Sequence, residues 1–568
     1  MGAQNQSRHE AGLYGFWGVS ANTNTGNQLP TGWAEARIGE LVGPDGIFVD
    51  GDWVESKDQD PNGDVRLIQL ADVGDGTYRD RSSRFLTRGK ACELDCTFLR
   101  AGDVLIARMP DPLGRACIFP GDSKDSVTAV DICIVRTGAL GANHRWLVWA
   151  VNSPQFRIEI AALQSGSTRK RISRGNLATL FMPIPPLAEQ ARIAQEIEKQ
   201  ITRLEAGVAA LKRVQANLKR YRAAVLKAAV EGRLVPTEAE LARREARSYE
   251  PASELLKRIL AERKSVAQPL LAVPKKAQAG APVPQDVAQP LLAVSQNAQA
   301  GVPVPRKPRY KEPAGPDTTN LPSLPEGWAW ATVEQTSWQV QYGSSAKTRE
   351  GSHGIPVLRM INLTTDGRLN LDDLKFLPVQ HEEFPGLLLA PGDLLFNRTN
   401  SPELVGKSVA YRGIPSPCSF ASYLIRVRTC EGCHAIYLAY CLNSAWGRTW
   451  IKSVVSQQVG QANVNGSKLR AFVFPLPPAA EQLRIVAEVD RRLSVIDELE
   501  MQVEANLKRA ERLRQAVLKR AFEGKLVAQD PNDEPASVLL ERIRSQRQAE
   551  VQQATNPSRR KGRGYPGR

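Results

Sequence analysis

Across 568 residues the sequence never strings together 18 uninterrupted apolar positions, so no membrane-spanning helix is expected. The opening stretch, MGAQNQSRHEAGLYGFWGVS, lacks the apolar centre of a secretion signal. It begins Met-Gly, but Gln6 stands where N-myristoylation needs Ser or Thr. These absences point to a cytoplasmic protein. Eight cysteines are too sparse for a disulfide scaffold. The one tight pair, CEGCH at Cys430–His434, has the spacing of covalent haem attachment, but that chemistry belongs to exported proteins. Reduced cysteines at a strand-to-helix turn are the simpler reading. No second C-x-x-C completes a zinc site, and the five histidines (His9, His144, His353, His381, His434) are scattered.

Catalytic motifs are missing as well. SPELVGKS (Ser401–Ser408) ends like a phosphate-binding loop, but Ser401 occupies the place of its first glycine. NSPQF (Asn152–Phe156) lacks the paired prolines of the motif by which amino-methyltransferases hold a flipped base. GDGTYR is a turn rather than a cofactor loop. No cofactor and no metal are therefore expected in this chain.

What the sequence has in excess is positive charge. Lys and Arg number 75 against 60 Asp and Glu, giving a net charge of +15 and a pI near 9.5. That balance favours an anionic partner, nucleic acid first, and part of it lies in the acid-free tail NPSRRKGRGYPGR.

The sequence also repeats itself. PIPPLAEQARI (Pro183–Ile193) returns as PLPPAAEQLRI (Pro475–Ile485), 292 positions later. LPTGW (Leu29–Trp33) returns as LPEGW (Leu324–Trp328), AGDVLIAR (Ala101–Arg108) as PGDLLFNR (Pro391–Arg398), and AVLKAAVEGRLV (Ala224–Val235) as AVLKRAFEGKLV (Ala516–Val527). PASELLKRI (Pro251–Ile259) is echoed by PASVLLERI (Pro535–Ile543). Each half thus reads as a globular domain, a proline junction, a long helix, an exit turn and a short helix.

After each proline junction, apolar residues recur every three or four positions. They run from Ile193 through Ile197, Ile201, Leu204, Val208, Leu211, Val214, Leu218 and Tyr221 to Val225, and from Ile485 through Val489, Leu493, Ile496, Leu499, Val503 and Leu507 to Val517. One stripe on a helix of some 40 residues, about 60 Å long, is the coiled-coil pattern. Glu189 and Glu481 suit the N-termini, and Gly232 and Gly524 the C-caps. The stripes are expected to bury each other as an antiparallel pair. Between the halves, VAQPLLAVPKKAQAGAPVP (Val266–Pro284) and its near-copy VAQPLLAVSQNAQAGVPVP (Val287–Pro305) read as a linker.

The fold class is α+β used twice, with short β-rich runs followed by amphipathic helical stretches in each half. The expected organisation is a loose start over 1–28, a globular domain over 29–186, a first long and short helix over 187–264 and a repeat linker over 265–321. A second globular domain over 322–478, a second long and short helix over 479–550 and a basic tail over 551–568 complete it. Basic and amide side chains crowd the loops of both domains: TYRDRSSRFLTRGK, ARMPDPLGRA and SGSTRKRISRGN in the first, YGSSAKTREG, LRMINLTTDGR, NRTNSPELVGK and SQQVGQANVNG in the second. Arg, Lys, Asn and Gln are the side chains that read base edges, and Arg, Lys and Ser hold phosphates.

The duplicated junctions, the long helices closed by EGRLV and EGKLV, and the LPTGW/LPEGW openings resemble the specificity subunits of type I restriction–modification enzymes. YGSSAKT, VLRMINL and FNRTNSPELVGKS look like parts of that family's recognition domains. The resemblance spans about Leu29 to Arg544, with the 21-residue repeat as its departure. It implies two target recognition domains joined by two long antiparallel coiled-coil helices in a pseudo-twofold arrangement. It further implies a non-catalytic reader of a bipartite site on double-stranded DNA, with half-sites roughly 34 Å apart. The implied partners are two modification (methyltransferase) subunits and the restriction (motor/endonuclease) subunits. S-adenosylmethionine, ATP and Mg would be held by those partners. On this reading phosphates are expected at Arg79, Arg81, Arg84, Arg169, Lys170, Arg171, Lys347, Arg349 and Lys407. Base edges are expected at Arg66, Arg115, Arg359, Asn362, Arg398, Asn400, Gln458 and Gln461. The competing readings are a self-contained methyltransferase or nuclease with a tandem recognition module, and a coiled-coil scaffold with no DNA role.

Overall fold

The computed structural model describes residues 29–110, 112–166, 169–267, 311–351, 353–458 and 461–555. The loose start and most of both the repeat linker and the basic tail lie outside the described residues.

In the first globular domain the strands are β1 (Ala34–Arg37), β2 (Ile47–Asp50), β3 (Val65–Ile68), β4 (Phe85–Leu86), β5 (Val104–Ala107), β6 (Arg115–Ile118), β7 (Asp125–Thr128), β8 (Ile132–Arg136) and β9 (Phe181–Ile184). They form an antiparallel sheet of order β2-β8-β5-β6, a small sheet of order β4-β3-β7 and a β1-β9 ladder. Helices α1 (Arg88–Glu93), α2 (His144–Val151), α3 (Pro154–Ala162) and α4 (Arg174–Thr179) complete it. Polar side chains start them: Asn143 accepts from the amides of Arg145 and Trp146, and Ser153 from that of Phe156. Long helix α5 (Leu187–Val230) follows, then α6 (Glu238–Glu245) and α7 (Ala252–Ala267).

The second domain repeats this plan in unlike sequence. Its strands are β10 (Ala329–Thr332), β11 (Ser337–Tyr342), β12 (Ile355–Leu358), β13 (Lys375–Leu377), β14 (Asp393–Asn397), β15 (Thr399–Asn400), β16 (Ser408–Ala410), β17 (Ser419–Phe420), β18 (Leu424–Thr429), β19 (Ser456–Gln458), β20 (Gln461–Asn463) and β21 (Val473–Leu476). Sheet β11-β18-β14-β16 matches β2-β8-β5-β6, β13-β12-β17 matches β4-β3-β7, and β10-β21 matches β1-β9. The small sheet β15-β20-β19 extends the plan; among the described residues the first domain has only a Ser165–Arg171 bridge at that point. Helices α8 (Ala435–Asn443), α9 (Ala445–Val454) and α10 (Gly466–Arg470) precede long helix α11 (Ala479–Phe522), and α12 (Ala536–Thr555) closes the described chain.

Each long helix has 44 residues, about 66 Å. Both end as the glycines foretell, with Gly232 at φ +67° and Gly524 at φ +69°. The amide of Arg233 returns to the carbonyl of Ala228, and that of Lys525 to Arg520, satisfying end carbonyls in Schellman fashion.

The compact units cut across the sequence halves. One comprises the chain through Arg213 together with everything from Val503; the other is the single stretch Val214–Gln502. Within the first unit, Ile193, Ile197 and Ile201 from the start of α5 share one core with Leu518, Ala521 and Phe522 from the end of α11, so the two helices run antiparallel there. That core takes in Trp33, Trp146 and Ile184 of the first domain and Ala536 and Leu540 of α12. Within the second unit, Arg222 near the end of α5 bridges Asp497 at 2.7 Å and Glu500 at 2.9 Å on α11, again antiparallel. The stripe is buried towards its ends, whereas Val214, Tyr221 and Leu499 are more than two-fifths exposed. A straight helix drifts about 20° per heptad from a strict 3.5-residue repeat, which turns such positions outward.

The exit segments are exchanged between halves. The Ala536 amide, from the second half, donates to Gly32 O of the first domain at 2.9 Å. The Ala252 amide, from the first half, donates to Gly327 O of the second domain at 2.8 Å. Repeats in a sequence give the order of the pieces; they do not say which copy each piece packs on.

Candidate nucleic-acid interface

The loops that carry the basic residues are built on buried polar turns. In the first domain Asp72 has no exposure, and its carboxylate accepts from the amides of Gln69 at 2.8 Å, Arg81 at 2.5 Å and Ser82 at 2.7 Å. Burial works against its charge, but the hydrogen bonds from Ser82 and the backbone outweigh it and hold the carboxyl below its ordinary range. Asp72 thereby shapes the β3–β4 connection from which Arg79, Arg81 and Arg84 project, all exposed. It escaped sequence reading because an aspartate in LADV looks like any solvated turn residue.

Asn362 does the same work in the second domain. It is 1% exposed, accepts from the Arg359 amide at 2.8 Å and donates to Asn370 O at 2.9 Å and Asp373 O at 3.0 Å. It stands at the same point after β12 as Asp72 after β3. The expectation that Asn362 reads a base is therefore corrected: its amide is closed on the protein's own backbone.

Lys407 is corrected likewise. It is 8% exposed, and its ammonium donates to Met360 O at 3.0 Å and to Leu363 O. Burial pushes its pKa below the ordinary lysine range. Its place near the end of SPELVGKS thus reflects packing of a loop rather than phosphate capture.

Three expected base readers are also engaged internally. Arg66 ion-pairs with Asp122 at 3.0 Å and with Asp80, and donates to Ser82 O at 2.8 Å. Arg115 donates to Val73 O and Pro110 O, both at 3.3 Å. Arg359 ion-pairs with Asp373 at 2.9 Å. Arg66 on β3 and Arg115 on β6 tie loops to strands, and Arg359 closes the β12–β13 connection on itself.

Most of the remaining cationic candidates are exposed. Arg169, Lys170 and Arg171 are exposed at the hairpin closed by Ser165 and Arg171, whose amides and carbonyls pair at 2.8 and 2.9 Å. The hairpin follows α3 as β19–β20 follows α9. Lys347 and Arg349 are exposed on the loop after β11. Asn400 is partly buried and accepts from the Ser401 amide at 2.8 Å. Gln458 pairs with Gln461 across β19–β20.

Two segments far apart in sequence, NRTN and SQQVGQANVNG, are brought together as the sheet β15-β20-β19, with Thr399 opposite Asn463 and Asn400 opposite Ala462. Beside it Arg398, Thr399, Ser456, Gln461, Asn463, Asn465 and Lys468 line an open cleft of about 520 Å³. Arg398 lies over the ring of Tyr342, 5.0 Å from its centroid, and Nη1 donates to Ser422 O at 3.3 Å. The side-chain carbonyl of Asn463 and Nε of Arg398 are buried and have no hydrogen-bond partner among the described residues. Such a cleft suits a planar, polar, electron-rich ligand.

CEGCH is a turn. Cys430 follows β18, His434 precedes α8, both cysteines are buried, and the eight cysteines are free thiols. Asn152 of NSPQF is a strut: its side chain exchanges hydrogen bonds with Ala116 N at 3.1 Å and Ala116 O at 2.8 Å. Asn443 pairs with Ser408 in the same way. Among the described residues no group of His, Cys, Asp and Glu could hold a metal ion, and no helix is long and apolar enough to cross a membrane.

No family model matches the chain. Its curated homologues are specificity subunits of type I restriction enzymes. It is 25% identical over 411 residues to the EcoKI specificity subunit of Escherichia coli (strain K12), covering 70% of each chain. It is 25% identical over 404 residues to the StySPI specificity subunit of Salmonella potsdam, covering 69% of each. A chain from a structure concerned with complex assembly and conformational transition of the type I R-M system superposes with a TM-score of 0.54 at 17% identity, covering 88% of this chain and all of that one, which is a likeness of fold.

Proposed function

We infer that this chain, homologous to type I restriction enzyme specificity subunits, is itself the DNA sequence-specificity subunit of a type I restriction–modification complex, a recognition component rather than a catalyst. Each globular domain reads one half of a bipartite site on double-stranded DNA. The paired long helices carry two modification subunits, and restriction subunits join them. S-adenosylmethionine, ATP and Mg belong to those partners.

One observation carries the reading: two domains of the same strand order keep the same buried turns and junctions while their outward loops differ. A scaffold repeated to hold identical partners, under surfaces that diverge, is what two unlike half-sites demand. The exposed arginines and lysines of both domains supply phosphate contacts, and their number makes binding salt-dependent.

The test is methylation profiling of DNA after incubation with the modification subunits, with and without this chain. A bipartite methylated sequence that requires the chain is the expected result. Methylation independent of it, or tight S-adenosylmethionine binding by the chain alone, overturns the reading.

A further inference from the structure

The strand registers allow the two domains to be matched residue by residue. Cys133 on β8 lies opposite both Asp50 and Ile106; Ile425 on β18 lies opposite both Tyr342 and Phe396. Asp50 therefore corresponds to Tyr342. Arg108, two residues past Ile106, corresponds to Arg398, two residues past Phe396. The backbone agrees, since the Ile172 amide donates to Arg108 O at 3.1 Å and the Val464 amide to Arg398 O at 2.9 Å.

The two arginines meet opposite surroundings. Arg108 faces the Asp50 carboxylate at 3.3 Å and donates to Val130 O at 2.6 Å. Asp50 is held in turn by Arg174 at 3.1 Å. Arg398 has no carboxylate within ion-pair distance among the described residues. In place of the acid it has an aromatic face, whose hydroxyl accepts from the Gly466 amide at 2.7 Å and fixes the ring. An aromatic face orients a guanidinium without cancelling its charge. The hydrogen bond of the guanidinium to Ser422 O is long, at 3.3 Å.

We propose that Arg398 is the guanine-reading residue of the second domain, oriented by Tyr342, and that its counterpart Arg108 is a structural strut that reads nothing. This rests on the DNA-recognition reading above. Guanine is the base whose major-groove edge offers two acceptors, N7 and O6, to an arginine fork. Tyr342 acts as a positioning residue. The side chain that replaces Asp50 thus decides whether this arginine is available to DNA.

The experiment profiles methylation by the full chain with its modification subunits, comparing wild type with Arg398→Ala, Arg398→Lys, Tyr342→Asp and Arg108→Ala. Arg398→Ala is expected to relax one G·C position of one half-site by roughly tenfold to a hundredfold, leaving the other half-site intact. Arg398→Lys keeps the charge, loses the fork and relaxes the same position with an unchanged salt slope, which carries the test should the alanine variant fold poorly. Tyr342→Asp supplies the missing acid and relaxes that position with Arg398 still present. Arg108→Ala lowers the unfolding midpoint and leaves both half-sites as they were. Uniform weakening at every sequence by the Arg398 variants, or relaxation of a half-site by Arg108→Ala, overturns the proposal while the recognition reading stands. Absence of any bipartite methylation by wild type overturns the reading itself.

Discussion

Trp328 and Glu481 are 153 positions apart in the chain, yet the indole Nε1 donates to a carboxylate oxygen of Glu481 at 2.9 Å, and that side chain has no exposure. The other oxygen accepts from the Glu238 amide at 2.8 Å. Trp33 and Glu189 form the same link at 3.0 Å in the other unit, where the second oxygen of Glu189 is buried without a partner among the described residues. The tryptophan of each LPxGW opening thus locks onto the first turn of the long helix behind its own domain.

Replacing Trp328 by Phe keeps the ring and removes the donor. A buried acceptor stripped of one partner costs about 1–3 kcal/mol. The expected outcome is a lower denaturant midpoint for the full chain, with Trp33→Phe acting similarly in its own unit. An unchanged midpoint in both variants would remove the latch from the account of stability.

Burial holds the Glu481 carboxyl above its ordinary value of 4.5, against its hydrogen bonds to the Glu238 amide and Trp328, and it raises Glu189 also. A carboxyl raised on folding contributes stability that is complete below the unfolded pKa and is lost as pH rises through the folded one. Glu481→Gln does not titrate there. Wild type should therefore exceed the variant by most at about pH 4, with the gap narrowing towards about pH 7. Denaturant unfolding at the two pH values checks the sign, and a gap that widens with pH contradicts it.

Gly232 sits at φ +67°, and a Cβ there would lie 2.5 Å from Cγ of Pro325. Gly524 is the counterpart at φ +69°, 2.5 Å from Pro30. Gly232→Ala meets both backbone strain and a clash, and should destabilise by about 1 kcal/mol or more. Ala at the exposed mid-helix Gly207, which has nothing within 4 Å, should instead stabilise by up to about 1 kcal/mol. Thermal midpoints moving in opposite directions are the expected readout.

Lys407→Met and Arg81→Ala separate a buried cation from an exposed one. Arg81→Ala should flatten the dependence of log K on log salt by about one unit, weakening all sequences alike. Lys407→Met leaves two backbone carbonyls short of a donor and should lower stability by about 1–3 kcal/mol with the salt slope unchanged. Binding titrations across salt, together with unfolding curves, distinguish them.

The architecture was largely written in the sequence. The helix stripes, prolines and cap glycines give α5 and α11 nearly to the residue, because helix periodicity and capping are local. The exchange of α7 and α12 between domains was not legible, since PASELLKRI and PASVLLERI are too alike to name their hosts. Within the interface, residue type identified cations and amides but not their burial. Lys407 and Asn362 look the same in a string as Lys347 and Asn400; only the folded loops reveal which side chains turn inward. Arg398 and Gln461 could be suspected separately, but their meeting in one cleft depends on β15 pairing with β20 across 60 residues of chain. The Asp50–Tyr342 correspondence needed strand register, which no repeat in those segments announces.

The division of the chain into one continuous and one split unit has a consequence for how the molecule is made on the ribosome. The stretch Val214–Gln502 is one compact unit continuous in sequence, so it can begin to close as soon as it has emerged. The domain translated before it cannot: Ile193, Ile197 and Ile201 must wait for Leu518, Phe522 and Leu540. The lobe born first is finished last, and a nascent chain halted before the final helices would leave its greasy seam open to aggregation.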